Sequence, residues 1–191
     1  MSLHLKERLE LFVKVLSESS VFIGGTSYSM EYGLNKAFNT LLGLRELNRD
    51  LYIIGNGGST AVASHAVVDF LNVGNLSAHT LHEAAVLTCM SNDYGYKHAY
   101  SNIIRRIIKK QDVLIAISSS GQSENILNGV TEARNQGAFV ITLTGFNCLN
   151  NLKNMGDINF WVDSYDYGMV EIAHQFILHN LADRFKDKDN Q

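Results

Sequence analysis

The chain has 191 residues, of which 46% are hydrophobic and 18% charged; this excludes a disordered chain and suits one substantial core better than two. The formal net charge of -3 gives no reason to expect a nucleic acid or an anionic membrane as partner. It still permits a small anion, which a helix N-terminus holds with backbone N–H groups alone.

Residues 3–18 carry an apolar stripe of Leu5, Leu9, Phe12, Val13 and Leu16, with Lys6, Glu7, Glu10 and Lys14 off it, which predicts a helix. Gly24-Gly25 interrupts the pattern. A second helix is expected from about Tyr28 to Leu47, through Leu34, Phe38, Leu41 and Leu42. Two amphipathic helices at the start of the chain need a surface for their apolar faces, and a partner subunit provides one. From residue 50 the pattern changes. Leu51–Ile54, Val113–Ile117, Phe139–Leu143 and Ile158–Val162 are uniformly apolar runs, the signature of strands covered on both faces. A further short strand is expected near Ala78–Leu81, with a helix after His82. Helices are expected at about 59–71, 98–110, 123–136 and 168–185. Alternating strand and helix implies α/β architecture with a doubly wound parallel sheet in three layers. The whole chain reads as one domain, 1–191, with N-terminal helices over 1–48 packing in an oligomer and an α/β core over 49–191.

No apolar run approaches the length of a membrane span. Met1-Ser2-Leu3-His4-Leu5-Lys6 lacks the basic-then-apolar layout of a signal peptide, so the expected location is the cytoplasm. Cys89 and Cys148 form no CxxC and are expected to be free, buried thiols. The Arg105-Arg106 and Lys109-Lys110 pairs read as the solvated end of a helix. His4, His79, His82 and His98 read as ordinary surface or packing residues.

Two loops carry the first chemical signal. The strand at Leu51–Ile54 runs into Gly55-Asn56-Gly57-Gly58-Ser59 and then a helix. Glycines let the backbone approach a ligand, and the helix end offers free N–H groups and partial positive charge. The loop lacks the lysine of a Walker A motif and the pattern of a dinucleotide fold. The second loop, Ile117-Ser118-Ser119-Ser120-Gly121-Gln122-Ser123, again joins a strand to a helix start. Capping needs one serine, and four within six residues exceed that need. Ligands of open α/β sheets sit at the carboxyl ends of strands, where both loops lie.

Two helices carry groups for proton transfer. His65 and Asp69 are four residues apart and share a helix face. Glu171 and His179 are eight apart, about 80° round a helix at roughly 100° per residue. His174 is a further candidate, within about 60° of Glu171 by the same arithmetic. Proton transfer on a phosphorylated substrate needs a base, a group that polarises or protonates an oxygen, and a phosphate anchor. A divalent metal supplies the polarisation in another design. His65, Asp69, Glu171 and His179 form a four-ligand nitrogen and oxygen set suited to zinc.

Gly55–Ser59, Ser91-Asn92-Asp93-Tyr94-Gly95-Tyr96, Ile117–Ser123 and Ile141-Thr142-Leu143-Thr144-Gly145 together resemble the sugar isomerase (SIS) domain. Within it they are most similar to the phosphoheptose isomerase branch, in order and over nearly the whole chain. The resemblance implies a five-stranded parallel sheet and a homotetramer with active sites at subunit interfaces. It implies phosphate binding by Ser118, Ser119, Ser120 and Ser123, and further substrate contacts from Asn56, Gly57, Ser59 and Asp93. It assigns the base to Asp69 and its partner role to His179, with zinc as the metal this ligand set would hold. The implied activity converts sedoheptulose 7-phosphate, or a related sugar phosphate, to an aldose for surface-polysaccharide synthesis. Two other functions use the same fold without a base: a phosphosugar-binding regulator and a protein that binds a replication initiator.

The sequence departs from the branch at three places. The family's glutamate is shortened to Asp69. Its glutamine is replaced by Glu171, which adds a negative charge. The aspartate and arginine that precede that glutamine appear as Gly168 and as Met169 or Val170. Tyr165, Asp166 and Tyr167 are the groups available to touch the sugar in their place.

Overall fold

The computed structural model describes residues 4–189. In chain order the elements are α1 (Leu5–Glu18), β1 (Ser20–Ile23), β2 (Thr26–Tyr28), α2 (Met30–Glu46), β3 (Asp50–Ile54), α3 (Gly58–Asn72) and β4 (Ser77–Thr80). There follow α4 (Ala84–Tyr94), α5 (Ala99–Ile107), β5 (Val113–Ser118), α6 (Glu124–Asn135), β6 (Phe139–Thr144), β7 (Ile158–Trp161) and α7 (Tyr167–Asp189).

One seven-stranded sheet runs in the order β2-β1-β7-β6-β5-β3-β4. Strands β3 to β7 are the five parallel strands expected. The other two were not foreseen: β1 pairs antiparallel with both β2 and β7, extending one edge. Gly24 and Gly25 therefore close a hairpin rather than separating two helices. Ile23 pairs with Thr26 across a two-residue loop, and both glycines have positive φ (57° and 82°), the backbone that the favoured hairpin turns require.

The uniform strands are explained by two cores. Ile53, Ile115, Ile141 and Phe160 point to the side covered by α2, α3 and α7, with Leu41, Phe70, Ile177 and Phe185. Ile54, Leu114, Ala116 and Val140 point to the side covered by α5 and α6, with Tyr100, Ile104, Ile126 and Val130. Successive side chains face opposite layers, so most strand positions are apolar; among the buried polar exceptions, Asn159 donates to the hydroxyls of Thr142 and Thr144. α2 belongs to this body: Gly33, Leu34, Ala37, Leu41 and Leu44 are buried. A Cβ on Gly33 would overlap Val21, so the glycine permits close approach of α2 to β1. Of the N-terminal segment, α1 alone keeps an open apolar face. Leu5, Leu9 and Val13 are exposed, and Val15 is the one buried residue of that helix. α4 buries none of its residues.

Both cysteines are free, as expected, but neither is buried. Cys89 sits on the exposed side of α4, whose Leu87 and Met90 pack against the second core, and Cys148 follows β6 in a surface loop. Among the described residues, no helix is long and apolar enough to cross a membrane.

His174 is fully buried, with Nε2 3.1 Å from the Thr144 carbonyl oxygen. Burial pushes its pKa down to about 4. Between that value and the ordinary one near 6.5, the unfolded chain binds a proton that the folded chain refuses. Stability therefore falls as pH drops through this window, and the loss, about 3 kcal/mol, is complete below about pH 4. Urea unfolding at pH 7.5 and 4.5 should show a smaller difference for His174→Gln than for the parent. An equal difference would exclude His174 as the source.

Candidate active site

The two loops meet at the carboxyl ends of β3 and β5, around a cavity of about 250 Å³. Asn56, Gly57, Gly58 and Ser59 line it from the first loop, and Ser118, Ser119, Ser120 and Ser123 from the second. Tyr167 and Glu171 of α7 close one side. No lysine or arginine stands among the described residues that line it. Any anion held here would be held by neutral donors and helix ends.

The first loop presents the start of α3. Gly57, at the N-cap, has φ 53° and offers no capping side chain. The first N–H groups of α3 therefore face outward with the helix's partial positive charge. The loop is braced from below: Thr60 Oγ1 and the Tyr100 hydroxyl both donate to the Gly55 carbonyl at 2.8 Å.

The second loop carries Ser118, Ser119, Ser120 and Ser123 ahead of α6. Ser123 occupies the N-cap of α6, yet its side chain makes no capping bond. Ser118 Oγ accepts from the Gly121 N–H at 3.2 Å, and Ser120 Oγ accepts from the Gln122 N–H at 3.3 Å. Ser119 is 5% exposed and its Oγ has no partner. A buried hydroxyl without a partner is costly in a finished core; beside a helix N-terminus it is a donor waiting for an acceptor.

Asn56 is committed differently from the expectation of a direct substrate contact. Its Nδ2 donates to Asn125 Oδ1 at 2.9 Å, and its Oδ1 accepts from Asn125 Nδ2 at 2.8 Å. The Tyr96 hydroxyl also donates to Asn56 Oδ1, at 2.7 Å. This reciprocal amide pair ties the first loop to α6 and hence to the second loop. Sequence reasoning missed Asn125 and Tyr96 in this role. Tyr96 lies in the Asn-Asp-Tyr-Gly-Tyr motif that helped to mark the family, and that motif was the available signal. Asp93 does not line the cavity. It is carried on α4, where its carboxylate accepts from Asn92 Nδ2 at 3.0 Å.

Three of the four proposed ligands come together. Asp69 Oδ2 is 3.0 Å from His179 Nδ1 and 3.6 Å from His65 Nε2. The three ligand atoms lie within 4.8 Å of one another. The two rings meet edge to face with centroids 4.8 Å apart. Asp69 Oδ2 is buried, and neither histidine is oriented to hydrogen-bond it. A carboxylate oxygen left bare between two imidazoles fits a shared cation or an incoming substrate hydroxyl. Glu171 stands apart from this group. Its carboxylate packs on the first turn of α3, where a Cβ on Gly58 would overlap it. His65 follows Gly58 by seven residues and His179 follows Glu171 by eight, so the group sits roughly 10–12 Å along α3 and α7 from the cavity. His174 takes no part, being sealed in the core.

The model of the SIS domain matches residues 26–145. The chain is 36% identical to a phosphoheptose isomerase from Cytophaga hutchinsonii over 133 residues, 66% of this chain and 69% of the relative. It is 29% identical to a phosphoheptose isomerase from Campylobacter concisus over 185 residues, 93% of each chain. The structure of a phosphoheptose isomerase from Francisella tularensis superposes with a TM-score of 0.83 at 26% identity, covering 96% of both chains. With the glycine loop, the serine loop and their parallel sheet all in the family's arrangement, this chain belongs to the SIS domain family.

Proposed function

We propose that this chain is a sugar-phosphate aldose–ketose isomerase, interconverting sedoheptulose 7-phosphate and an aldoheptose 7-phosphate or a close relative of that pair. The carrying observation is the separation of two sites by a single pair of helices. A phosphate anchor lies at the starts of α3 and α6, and an acid–base group lies two to three turns further along α3 and its neighbour α7. Such spacing suits a long sugar, with its phosphate at one end and its carbonyl at the other. Relatives named phosphoheptose isomerase, similar over most of the chain, support the same reading.

In this mechanism Ser118, Ser119, Ser120, Ser123 and the first N–H groups of α3 bind the phosphate, and the Asn56–Asn125 pair keeps the two loops in register. Asp69 takes the proton from the carbon beside the carbonyl, leaving an enediolate, and returns it to the neighbouring carbon. His179 moves the hydroxyl proton between the two oxygens, so that the carbonyl changes place and no atom is gained or lost. His65, Asp69 and His179 would hold a divalent metal such as zinc, and a metal bound there supplies polarisation of the carbonyl oxygen. Glu171 reaches that set only if its side chain leaves Gly58. The apolar faces of α1 and α4 support a homo-oligomer, a tetramer by family likeness, in a cytoplasmic pathway to surface polysaccharide such as lipopolysaccharide. A phosphosugar-sensing relative or an initiator-binding protein would need the serine loop but not the bare carboxylate between two histidines.

The test is turnover of sedoheptulose 7-phosphate in D2O with the purified chain, before and after chelation. The expected result is an aldose product carrying solvent deuterium at the carbon next to the carbonyl. Tight binding of sugar phosphates without turnover or exchange, in metal-replete protein, would favour the sensing role instead.

A further inference from the structure

We propose that Tyr167 is a sugar-binding residue, its ring forming the apolar wall against which the carbon chain of a phosphorylated sugar packs. This rests on the sugar-phosphate reading above. Tyr167 begins α7 and lines the cavity together with the serine loop, yet its side chain is 61% exposed. The residue is largely open, yet one side of its ring is held. Phe146 packs against it edge to face, with centroids 4.7 Å apart at 84°. Tyr165 in turn stacks on Phe146 at 5.8 Å and 12°.

The support is built into the backbone. Phe146 has φ 53°, a left-handed conformation that a bulky residue seldom adopts and that persists where the surroundings impose it. Its N–H donates to the Ser164 carbonyl at 3.0 Å, joining it to the segment that carries Tyr165 and Tyr167. The preceding Gly145 N–H donates to the Ser119 carbonyl at 2.9 Å. The backbone that carries Phe146 is thus hydrogen-bonded through Gly145 to the serine loop, which ties the aromatic group to the same rim of the cavity. One turn further along α7, Glu171 lines the same cavity. Ring and carboxylate together make a wall suited to a polyol: an apolar surface for C–H groups and an acceptor for hydroxyls.

Steady-state kinetics of Tyr167→Ala and Tyr167→Phe with sedoheptulose 7-phosphate, with inorganic phosphate as competing inhibitor, test this assignment. For the alanine variant KM should rise about tenfold while kcat changes less than about threefold. The phenylalanine variant should keep KM within about twofold, because the ring and not the hydroxyl forms the wall. The inhibition constant of inorganic phosphate should be unchanged in both, since phosphate alone does not reach the ring. An unchanged KM in the alanine variant overturns the proposal. So does a phenylalanine variant as impaired as alanine, or a phosphate constant that rises in parallel with KM. Failure of the parent chain to bind or turn over any sugar phosphate would instead remove the functional reading on which the assignment rests.

Discussion

Asp69→Asn is expected to lower kcat by about three orders of magnitude while leaving the chain folded. A positioned general base contributes on the order of 10²–10⁴ in rate, and asparagine keeps the shape but cannot accept the proton. The change removes no hydrogen bond, because Asp69 Oδ2 has none. Stability should therefore stay within about 1 kcal/mol of the parent. Solvent exchange and net isomerisation should fall together, since both pass through removal of the same proton. KM for the sugar phosphate should move little, because the phosphate anchor lies roughly 15 Å away along α3. His179→Gln should retain more exchange than Asp69→Asn while losing net turnover, as it impairs proton transfer between oxygens and leaves the carbon base in place. A kcat within tenfold of the parent in Asp69→Asn would move the base elsewhere, with Glu171 the next carboxylate to examine.

Much of the fold was legible because its signals are local. Leu51–Ile54, Val113–Ile117 and Phe139–Leu143 are mainly apolar on both faces, and the first two run into glycine- and serine-rich loops. The β1–β2 hairpin was not legible for a local reason too. Its strands have four and three residues, and Val21-Phe22-Ile23 also continues the apolar content of α1. Its identity as a strand comes from pairing with β7, more than a hundred residues away. The site divides in the same way. The two loops and the His65–Asp69 pair are short-range patterns, and the structure brings each together: the loops around one cavity, the pair within 3.6 Å. Glu171 shows what a helical wheel omits. Angle alone puts it on the side of His179, but eight residues also mean about 12 Å of rise. That rise leaves its carboxylate at Gly58, at the cavity. Asn125 and Tyr96 act on Asn56 across 69 and 40 residues, and no spacing rule reaches that far.

Ser119→Ala should separate binding from stability by moving them in opposite directions. In the ligand-free protein the Ser119 hydroxyl is buried and unpartnered. Removing it deletes no bond and relieves a desolvated donor, so stability should be unchanged or higher by up to about 1 kcal/mol. With phosphate present the same hydroxyl donates to a charged oxygen, a bond of about 1.5–3 kcal/mol. Its loss should weaken sugar phosphate and inorganic phosphate alike by roughly 10- to 100-fold. This pattern differs from that of Tyr167→Ala, which should spare inorganic phosphate. Ser120→Ala should lose less affinity, because Ser120 Oγ already accepts from Gln122, and it should lose some stability with that contact. Calorimetric titration with phosphate and thermal unfolding of the ligand-free variants provide both readings. If Ser119→Ala destabilised the free protein and left phosphate affinity intact, Ser119 would be a structural residue. The anion would then rest on the start of α3 and on the remaining serines.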